Sequence, residues 1–167
     1  MTCSTAMFTK FFSAKPDDTV GDALNLLTEH GIRSVPVLDD EGRLMGFFHF
    51  RRLLAQLLPV TGETDWSGHA THRGLIDRDI KFTSIIGSSA ELRAGNHLHT
   101  MLSLKLREVT DTDFEMAHPD TPLLETIRLL IKYRGPLPVV NNGENKLIAL
   151  VTVQSMMQAL ERIAAEH

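Results

Sequence analysis

The alternation of apolar and polar residues follows the same order twice along this chain. Apolar residues recur at helical spacing from Val20 to Leu27, and two short runs suited to strands follow, SVPVL and RLMGFFHF. Later, Leu123, Ile127 and Leu130 form a second helical stripe, which is followed by LPVV and KLIALVT. Polar turns, DDEG and NNGEN, separate the two short runs in each half, so the pattern predicts a hairpin in each.

A shift of 103 residues aligns the two patterns, with a one-residue gap and a later one-residue insertion that cancel. Equivalent pairs include Pro16 with Pro119, Asp17 with Asp120, Gly46 with Ala149 and His49 with Thr152. Each copy reads as strand, helix, strand, strand and helix, and neither copy is large enough to bury both faces of a small sheet alone. We therefore predict an α/β (α+β) fold of two pseudo-symmetric units packed together as one module.

Local residues predict where the helices begin. Asp18 is the predicted N-cap of the helix near Val20, and Thr121 is the predicted cap of its counterpart, with Pro122 at the first helical position. We predict a first unit at 8–58, a connection at 59–103 and a second unit at 104–165. The first unit closes with a helix at about 51–58, and the connection contains a helix after Asn96. The last helix of the second unit runs from about Val153 to Ala165.

Composition and charge exclude several classes of protein. The 167 residues carry a net charge of −4 without a basic block, which argues against a nucleic-acid partner. No apolar stretch reaches the roughly 18 residues that a membrane span needs. The only cysteine, Cys3, cannot form an intramolecular disulfide, and the N-terminus lacks the layout of a signal peptide. We expect a cytoplasmic protein with no membrane association.

Catalytic motifs are missing from the sequence as well. It contains no nucleophile elbow, phosphate-binding glycine loop or paired-carboxylate site. The pairs His69 with His72 and His97 with His99 have a spacing that a metal site can use, but no cysteine or acidic residue completes a ligand set. We predict neither an enzyme nor a metal protein.

Four segments carry a resemblance to a known family: KPDDTVGDAL with HPDTPLLETI, and SVPVLDDEGRLMGFF with PLPVVNNGENKLIALVT. Both copies resemble the cystathionine-β-synthase (CBS) domain, and two in tandem are similar to a CBS pair, or Bateman module. The resemblance covers about Phe8 to Leu58 and about Leu104 to Ala165.

The resemblance implies a regulatory module that needs no cofactor. Such modules bind AMP, ADP, ATP or S-adenosylmethionine in clefts between the units, form homodimers and signal to an effector protein, here in trans. Main-chain groups beside the proline strand bind adenine, and a hydroxyl residue and helix N–H groups bind phosphate. The ligand-binding positions implied are Ala117, Pro136, Leu137, Pro138, Thr152 and Ser155 in the second copy, and Arg33, Ser34, Val35, His49 and Arg52 in the first.

The motif that opens the closing helix departs from the family pattern in both copies. The family places a hydroxyl residue there and, three residues later, an Asp that accepts hydrogen bonds from the ribose. The first copy has His49 and Arg52 at these positions, whereas the second keeps the hydroxyl as Thr152 and has Ser155 in place of the Asp. Arginine has no acceptor, so we expect a nucleotide in the second copy's cleft and an anionic group in the first.

Two interpretations stay open for each set of residues. The arginines Arg33, Arg51 and Arg52 with His49 would form a cationic pocket, or the arginines would pair with acidic residues of the DDEG turn. Thr152 and Ser155 would bind a ligand, or cap the last helix. At the level of function, the alternative to a ligand sensor is an interaction or dimerisation module whose nucleotide pockets have degenerated.

Overall fold

The computed structural model describes residues 1–57 and 97–166, and the same elements occur in the same order in both segments. They are α1 (Val20–His30), β1 (Ser34–Leu38), β2 (Leu44–His49), α2 (Phe50–Leu57), α3 (Leu106–Val109), α4 (Leu123–Tyr133), β3 (Leu137–Val140), β4 (Leu147–Val151) and α5 (Val153–Ala165). A 3-10 turn at Cys3–Thr5 precedes them. The predicted bounds of the last helix are confirmed.

Each half contains the antiparallel hairpin that the alternation predicts, β1 with β2 and β3 with β4. The strand predicted before each first helix is reduced to a single parallel bridge. In the first half the Ala14 amide donates to the Pro36 carbonyl at 2.9 Å, and in the second half the Ala117 amide donates to the Pro138 carbonyl at 2.8 Å. The predicted fold of two pseudo-symmetric α+β units is confirmed.

The two faces of each hairpin pack against different layers, because side chains alternate along a strand. In the second hairpin one face packs with α4 and α5, and in the first hairpin one face packs with α1 and α2. The remaining faces meet each other, with Phe47 of β2 in one cluster with Val140 of β3 and Leu150 of β4. The helices therefore lie on the outside, and the two hairpins face each other across a shared apolar layer.

Backbone segments cross from each unit to the other. Phe8 and Leu150 exchange two hydrogen bonds of 2.9 and 3.0 Å, and their equivalents Asp111 and Phe47 exchange two of 2.8 and 2.9 Å. Arg43 and Lys146, which are equivalent to each other in the repeat, form an antiparallel bridge. The pseudo-twofold axis therefore passes between these two residues.

A short helical turn at the start of each repeat is buried in the core of the other unit. Leu106 of α3 is fully buried with Val20 in the first core, and Cys3 is fully buried with Leu129 in the second. Burial raises the pKa of the Cys3 thiol, and a hydrogen bond to Thr126 lowers it. The contacts that recur in both units begin at residue 1, before the predicted start of the first unit at residue 8. The domain boundaries stay a prediction.

Both predicted helix caps were wrong by one position. Thr19, not Asp18, caps α1: its hydroxyl accepts from the Asp22 amide at 3.1 Å, and the Asp22 carboxylate accepts from the Thr19 amide at 3.0 Å. Asp18 instead accepts from the Lys15 amide in the preceding turn. Thr121 plays the same turn-closing role before α4, accepting from the amide of His118.

The crossing segments satisfy the exposed amides at the helix starts. The Leu123 amide of α4 donates to the Met1 carbonyl at 3.1 Å, and the equivalent Val20 amide of α1 donates to the Leu104 carbonyl at 2.8 Å. A distant backbone carbonyl therefore satisfies an amide that lacks an intrahelical partner. Neighbouring residues in sequence do not reveal such a partner.

Part of the predicted connection lies on the first unit. Residues 97–102 are helical, as expected for a helix after Asn96, and Met101 packs into the first core. The remainder of the connection, with His69 and His72, lies outside the described residues. Within residues 1–57 and 97–166, no helix is long and apolar enough to cross a membrane.

Candidate functional site

The start of α5 is closed by a reciprocal pair of hydrogen bonds between the two hydroxyl residues of the motif. Thr152 Oγ1 accepts from the Ser155 amide at 3.1 Å, and Ser155 Oγ accepts from the Thr152 amide at 2.9 Å. Ser155 Oγ also donates to the Thr152 carbonyl at 3.1 Å. Thr152 and Ser155 therefore cap the last helix, as one of the two interpretations expected.

The capping box leaves some capacity for a ligand. A hydroxyl carries one donor and two acceptor positions. Thr152 Oγ1 uses one acceptor position in the box, and its own hydrogen has no acceptor among the residues that the structure describes. Ser155 uses its donor and one acceptor position. Thr152 can still donate, and Ser155 can still accept once, at a helix N-terminus that favours negative charge.

The strand residues predicted to contact adenine lie beside this helix start. Leu137 and Pro138 are buried in β3, Pro136 precedes them half-buried, and Leu137 is paired with Val151, the residue before Thr152. Ala117 uses both of its backbone groups on the ladder, to the Pro138 carbonyl and from the Val140 amide. Ala117 thus shapes the wall of the cleft and offers no spare main-chain group.

His49, the counterpart of Thr152, is packed between the two units. Its ring stacks on Phe47 with 5.7 Å between centroids, and a Cβ placed on Gly135 of the other unit would lie 3.6 Å from His49 Cε1. Burial lowers the pKa of His49, whereas the charge of Asp111 raises it and that of Arg52 lowers it. Desolvation is the largest of these effects and favours the neutral imidazole.

Arg52, the counterpart of Ser155, is directed toward the short helix α3. Its Nη1 donates to the carbonyl of Val109, the last residue of α3, at 3.1 Å. The side chain also lines a cavity of about 10 Å³ among apolar residues of the first core. A cation suits this place because carbonyl groups at a helix C-terminus carry partial negative charge.

Pairing of the motif arginines with the acidic turn is wrong. Asp39 and Glu41 both accept from Arg43, which lies in their own turn, with Nε of Arg43 at 2.9 Å from Asp39 Oδ2. Arg33 and Arg51 are exposed, and neither forms an ion pair with another described residue. Their charges are therefore open to solvent.

The three remaining predicted residues follow each other at the start of β1. The Arg33 carbonyl accepts from the Phe50 amide at 2.8 Å, Ser34 is opposite His49 in the ladder, and Val35 is fully buried in the first core. Val35 can therefore support a site but cannot contact a ligand without a rearrangement. Arg33 and Ser34 retain exposed surface.

Of the motif residues, His49 lies close to the other unit. His49 of the first copy faces Gly135, in the loop before β3 of the second. The repeat relates His49 to Thr152 and Gly135 to Arg33, so the equivalent approach in the other half would be that of Thr152 to the Arg33 loop.

Two residues near His49 were not predicted from the sequence, Asp111 and Gly135, and Gly135 follows the end of α4 at Arg134. Arg134 ends α4 in the left-handed conformation with φ of 50°, where its counterpart in the first unit is Gly31 with φ of 63°. The alignment of Arg134 with Gly31 was a usable signal, because glycine at a helix end marks this conformation. Asp111 carried no comparable signal.

Metal binding finds no support in the described part of the chain. Residues 1–57 and 97–166 contain no group of three or more His, Cys, Asp or Glu side chains that could hold an ion. His97 is buried in the structure and His99 is exposed. A separate open cavity of about 400 Å³ lies at Met1, Thr5 and Arg162, away from the motif residues.

Comparison with known proteins matches both repeats. Residues 3–59 and 106–162 each match the CBS domain family. Over 147 residues, 87% of this chain, the sequence is 24% identical to inosine-5'-monophosphate dehydrogenase of Methanocaldococcus jannaschii. A second match, 48% identical over 40 residues, is to an uncharacterized protein of the same organism. The chain spans about a quarter or less of these curated relatives, 21% of the dehydrogenase and 24% of the uncharacterized protein.

Solved structures share the fold over nearly the whole chain. The CBS-pair protein CBSX2 from Arabidopsis thaliana superposes with a TM-score of 0.70 at 21% identity, covering 98% of this chain and 96% of that protein. The structure of CBSX2 in complex with AMP gives a TM-score of 0.64 at 23% identity, with 95% and 93% coverage. At these identities the likeness establishes the architecture.

Proposed function

Because this chain belongs to the CBS domain family and carries the domain twice, we propose that it is a non-catalytic regulatory module that binds an adenosine-containing ligand between its two units. The ligand class is AMP, ADP, ATP or S-adenosylmethionine, with no cofactor required. The ligand state is passed to an effector protein in trans. AMP in the complex of the structurally similar CBSX2 supports a ligand of this class.

The observation that carries the proposal is that the two units approach each other at the motif. A Cβ placed on Gly135 of the second unit would lie 3.6 Å from His49 Cε1 of the first, and Phe8 and Asp111 tie each unit to the hairpin of the other. A ligand bound in either cleft contacts both units and therefore biases their relative orientation. Differential contact with two arrangements is what a regulatory ligand needs.

We place the ligand in the cleft at Thr152. The Thr152 hydroxyl hydrogen, one Ser155 lone pair and the N-terminus of α5 are available there. Arg33, which is exposed, is the repeat counterpart of Gly135, and by that relation it would face this cleft. Arg33 suits a phosphate or a carboxylate. In the other cleft the His49 ring stacks on Phe47 and Arg52 donates to the Val109 carbonyl, so both motif side chains are already engaged.

A thermal-shift panel of AMP, ADP, ATP and S-adenosylmethionine tests the ligand class, because a ligand that binds only the folded state raises its stability. Calorimetric titration of the best ligand then tests the site. Thr152→Val should abolish binding, whereas Thr152→Ser, which keeps the hydroxyl and the helix cap, should retain it. Arg52→Ala should leave the affinity nearly unchanged. Loss of binding in Arg52→Ala with retention in Thr152→Val would place the site in the other cleft.

Ser155→Asp tests the ribose contact directly. The Asp side chain would restore the acceptor that the family motif supplies, at a helix position that also favours a negative charge. A hydrogen bond to a charged group contributes roughly 1.5–3 kcal/mol, so the affinity should rise about 10- to 100-fold. An unchanged or weaker affinity in a folded Ser155→Asp protein would contradict this placement.

The alternative is a module that acts through protein contacts, with degenerated nucleotide pockets. Engagement of Thr152 and Ser155 in a capping box and of Arg52 with Val109 favours it, because each of these side chains has a structural role without a ligand. If none of the four ligands shifts the melting temperature, the interaction module is the better description.

A further inference from the structure

A row of aromatic rings lies at the junction of the two units and includes the ring of His49. Phe114, from the segment before Ala117, packs edge-on against Phe47 of β2 with 6.0 Å between ring centroids. The His49 ring stacks on Phe47 at 5.7 Å. Phe47 belongs to the apolar layer that the two hairpins share. His49 therefore extends this layer with a group that can take up a proton close to neutral pH.

Both halves of the molecule have the same pair of backbone hydrogen bonds beside the motif position. Phe47 and Asp111 exchange two of 2.9 and 2.8 Å, and His49 follows Phe47 by two residues; we call this pair the first bridge. Phe8 and Leu150 exchange two of 2.9 and 3.0 Å, which we call the second bridge. A threonine follows Leu150 by two residues. The molecule therefore contains one bridge beside a histidine and a matched bridge beside a residue that does not titrate.

The surroundings of His49 oppose a proton on its ring. Burial lowers the pKa of His49 most, while the charge of Asp111 raises it and that of Arg52 on α2 lowers it. Ser34, which is opposite His49 on β1, carries no charge. The other charged residues on the neighbouring segments are exposed arginines: Arg33, Arg51 and Arg134. A neutral ring is therefore the form that fits between the units.

A protonated ring has a route out of the junction. His49 is half-buried, so a change of side-chain rotamer can bring the ring to solvent, where an imidazolium regains its hydration. We propose that His49 is a pH-sensitive latch between the two units: the neutral ring holds the first bridge closed, and protonation opens that bridge in the otherwise folded protein. The proposal does not depend on whether a nucleotide binds.

The size of the effect follows from proton linkage. A ring in solvent has the ordinary histidine pKa of about 6.5, whereas the ring in the junction binds a proton less readily. The ratio of open to closed first bridge therefore rises as the pH falls below about 6.5, by up to about tenfold per pH unit. The rise ends at the lower pKa of the closed ring. Above about pH 6.5 the ratio is constant.

Amide hydrogen exchange resolved by residue tests the latch, with the full chain and without ligand, at several pH values between about 7.5 and 5. Protection factors, corrected for the effect of pH on intrinsic exchange, should fall at the Phe47 and Asp111 amides by up to about tenfold per pH unit below about pH 6.5. They should stay constant at the Phe8 and Leu150 amides. His49→Gln should remove the fall at the first bridge, and circular dichroism should show the wild-type fold.

Two further variants change the proton affinity of the closed ring in opposite directions. Asp111→Asn removes the charge that favours a proton on the closed ring, so the loss of protection at the low end of the pH range should become larger. Arg52→Gln removes a charge that opposes the proton, so the loss should become smaller. Each variant is compared with its own protection at about pH 7.5, which separates the pH effect from any general loosening.

Three outcomes would overturn the proposal. Equal loss of protection at both bridges would mean that acidification only favours global unfolding. A fall that persists in His49→Gln, or that Asp111→Asn and Arg52→Gln change in the same direction, would mean that another group takes up the proton. Constant protection at the first bridge throughout the pH range would mean that the ring is protonated in place or stays neutral, without opening the junction.

Discussion

Gly46 and Ala149 occupy equivalent positions in the two hairpins, but the crossing backbone comes closer to the first. A Cβ placed on Gly46 would lie 2.3 Å from the Asp111 carbonyl oxygen and 2.4 Å from Thr110 Cγ2. Gly46→Ala should therefore lower the free energy of unfolding by at least about 3 kcal/mol, at the upper end for overpacking, because the clash is with backbone. Urea denaturation measures it.

The matched control for Gly46→Ala is Ala149→Gly in the other hairpin. It removes one buried methyl group and adds backbone freedom in the unfolded chain, so a loss of about 1 kcal/mol is expected. If Gly46→Ala cost no more than this control, the close approach of the Asp111 carbonyl would not be a real constraint on the junction.

His49 predicts a specific dependence of stability on pH. Burial holds its pKa in the folded protein below the ordinary value of about 6.5. The unfolded chain therefore binds more protons than the folded one as the pH falls through that range. The stabilisation is complete above about pH 6.5 and is lost as the pH falls from there toward the lower folded pKa.

Urea denaturation at several pH values between about 8 and 5 checks this effect. The wild type should lose stability on acidification, and His49→Gln should flatten that part of the profile. His99→Gln removes an exposed histidine and serves as the control. A wild-type profile that matches that of His49→Gln would show that protonation at the junction carries no cost.

That the predicted residues bind a ligand stays a prediction. The closing motif, which the family resemblance supplies, is local, so the sequence put Thr152 and His49 directly before the last helix of each unit, where the structure has them. It did not place His49 against Gly135 or Arg52 against Val109, since both contacts join segments far apart in the chain. Long-range contacts of single side chains have no periodic signal. Asp39 pairs with Arg43 of its own turn, and the sequence did not distinguish this arginine from those of the motif as the partner.

Helices and hairpins were predictable because their patterns are local and occur twice. The hairpin turns, the amphipathic stripes and the end of α5 at Ala165 all followed from periodicity and turn residues. The turns at Cys3–Thr5 and Leu106–Val109 were not predicted, because each is only a few residues long and is stabilised by the core of the other unit. Tertiary packing decides such short helices.

Leu106 tests whether the short helix α3 is anchored in the core of the first unit. It is fully buried with Val20 and Met101, so Leu106→Ala should lower the free energy of unfolding by about 2–5 kcal/mol. Leu124→Ala on α4 removes the same atoms from an exposed position and should change stability by less than about 0.5 kcal/mol. Both variants are compared by urea denaturation at the same protein concentration. Similar losses in the two would mean that α3 is not anchored in the first core.

At the scale of the whole molecule, the two units are interdependent because each core contains residues from the other segment. The first core contains Met101 and Leu106 from the second segment, and the second core contains Cys3 and Ala6 from the first. Each unit therefore lacks part of its core without the other, in addition to the apolar layer that Phe47 and Leu150 share. A displacement of one unit must therefore also move backbone that belongs to the other.

This interdependence predicts that the halves fold only together. A fragment of residues 1–57 loses Met101 and Leu106, and a fragment of residues 97–167 loses Cys3 and Ala6, so each exposes an unfilled core. Each fragment alone should show weak circular dichroism and no cooperative melting, and an equimolar mixture should recover the helical signal and a single transition. The backbone bridges at Phe8 with Leu150 and at Asp111 with Phe47 would reform in the mixture. Independent cooperative melting of either fragment would contradict the exchange, because it would show that the unit completes its core without the crossing segment.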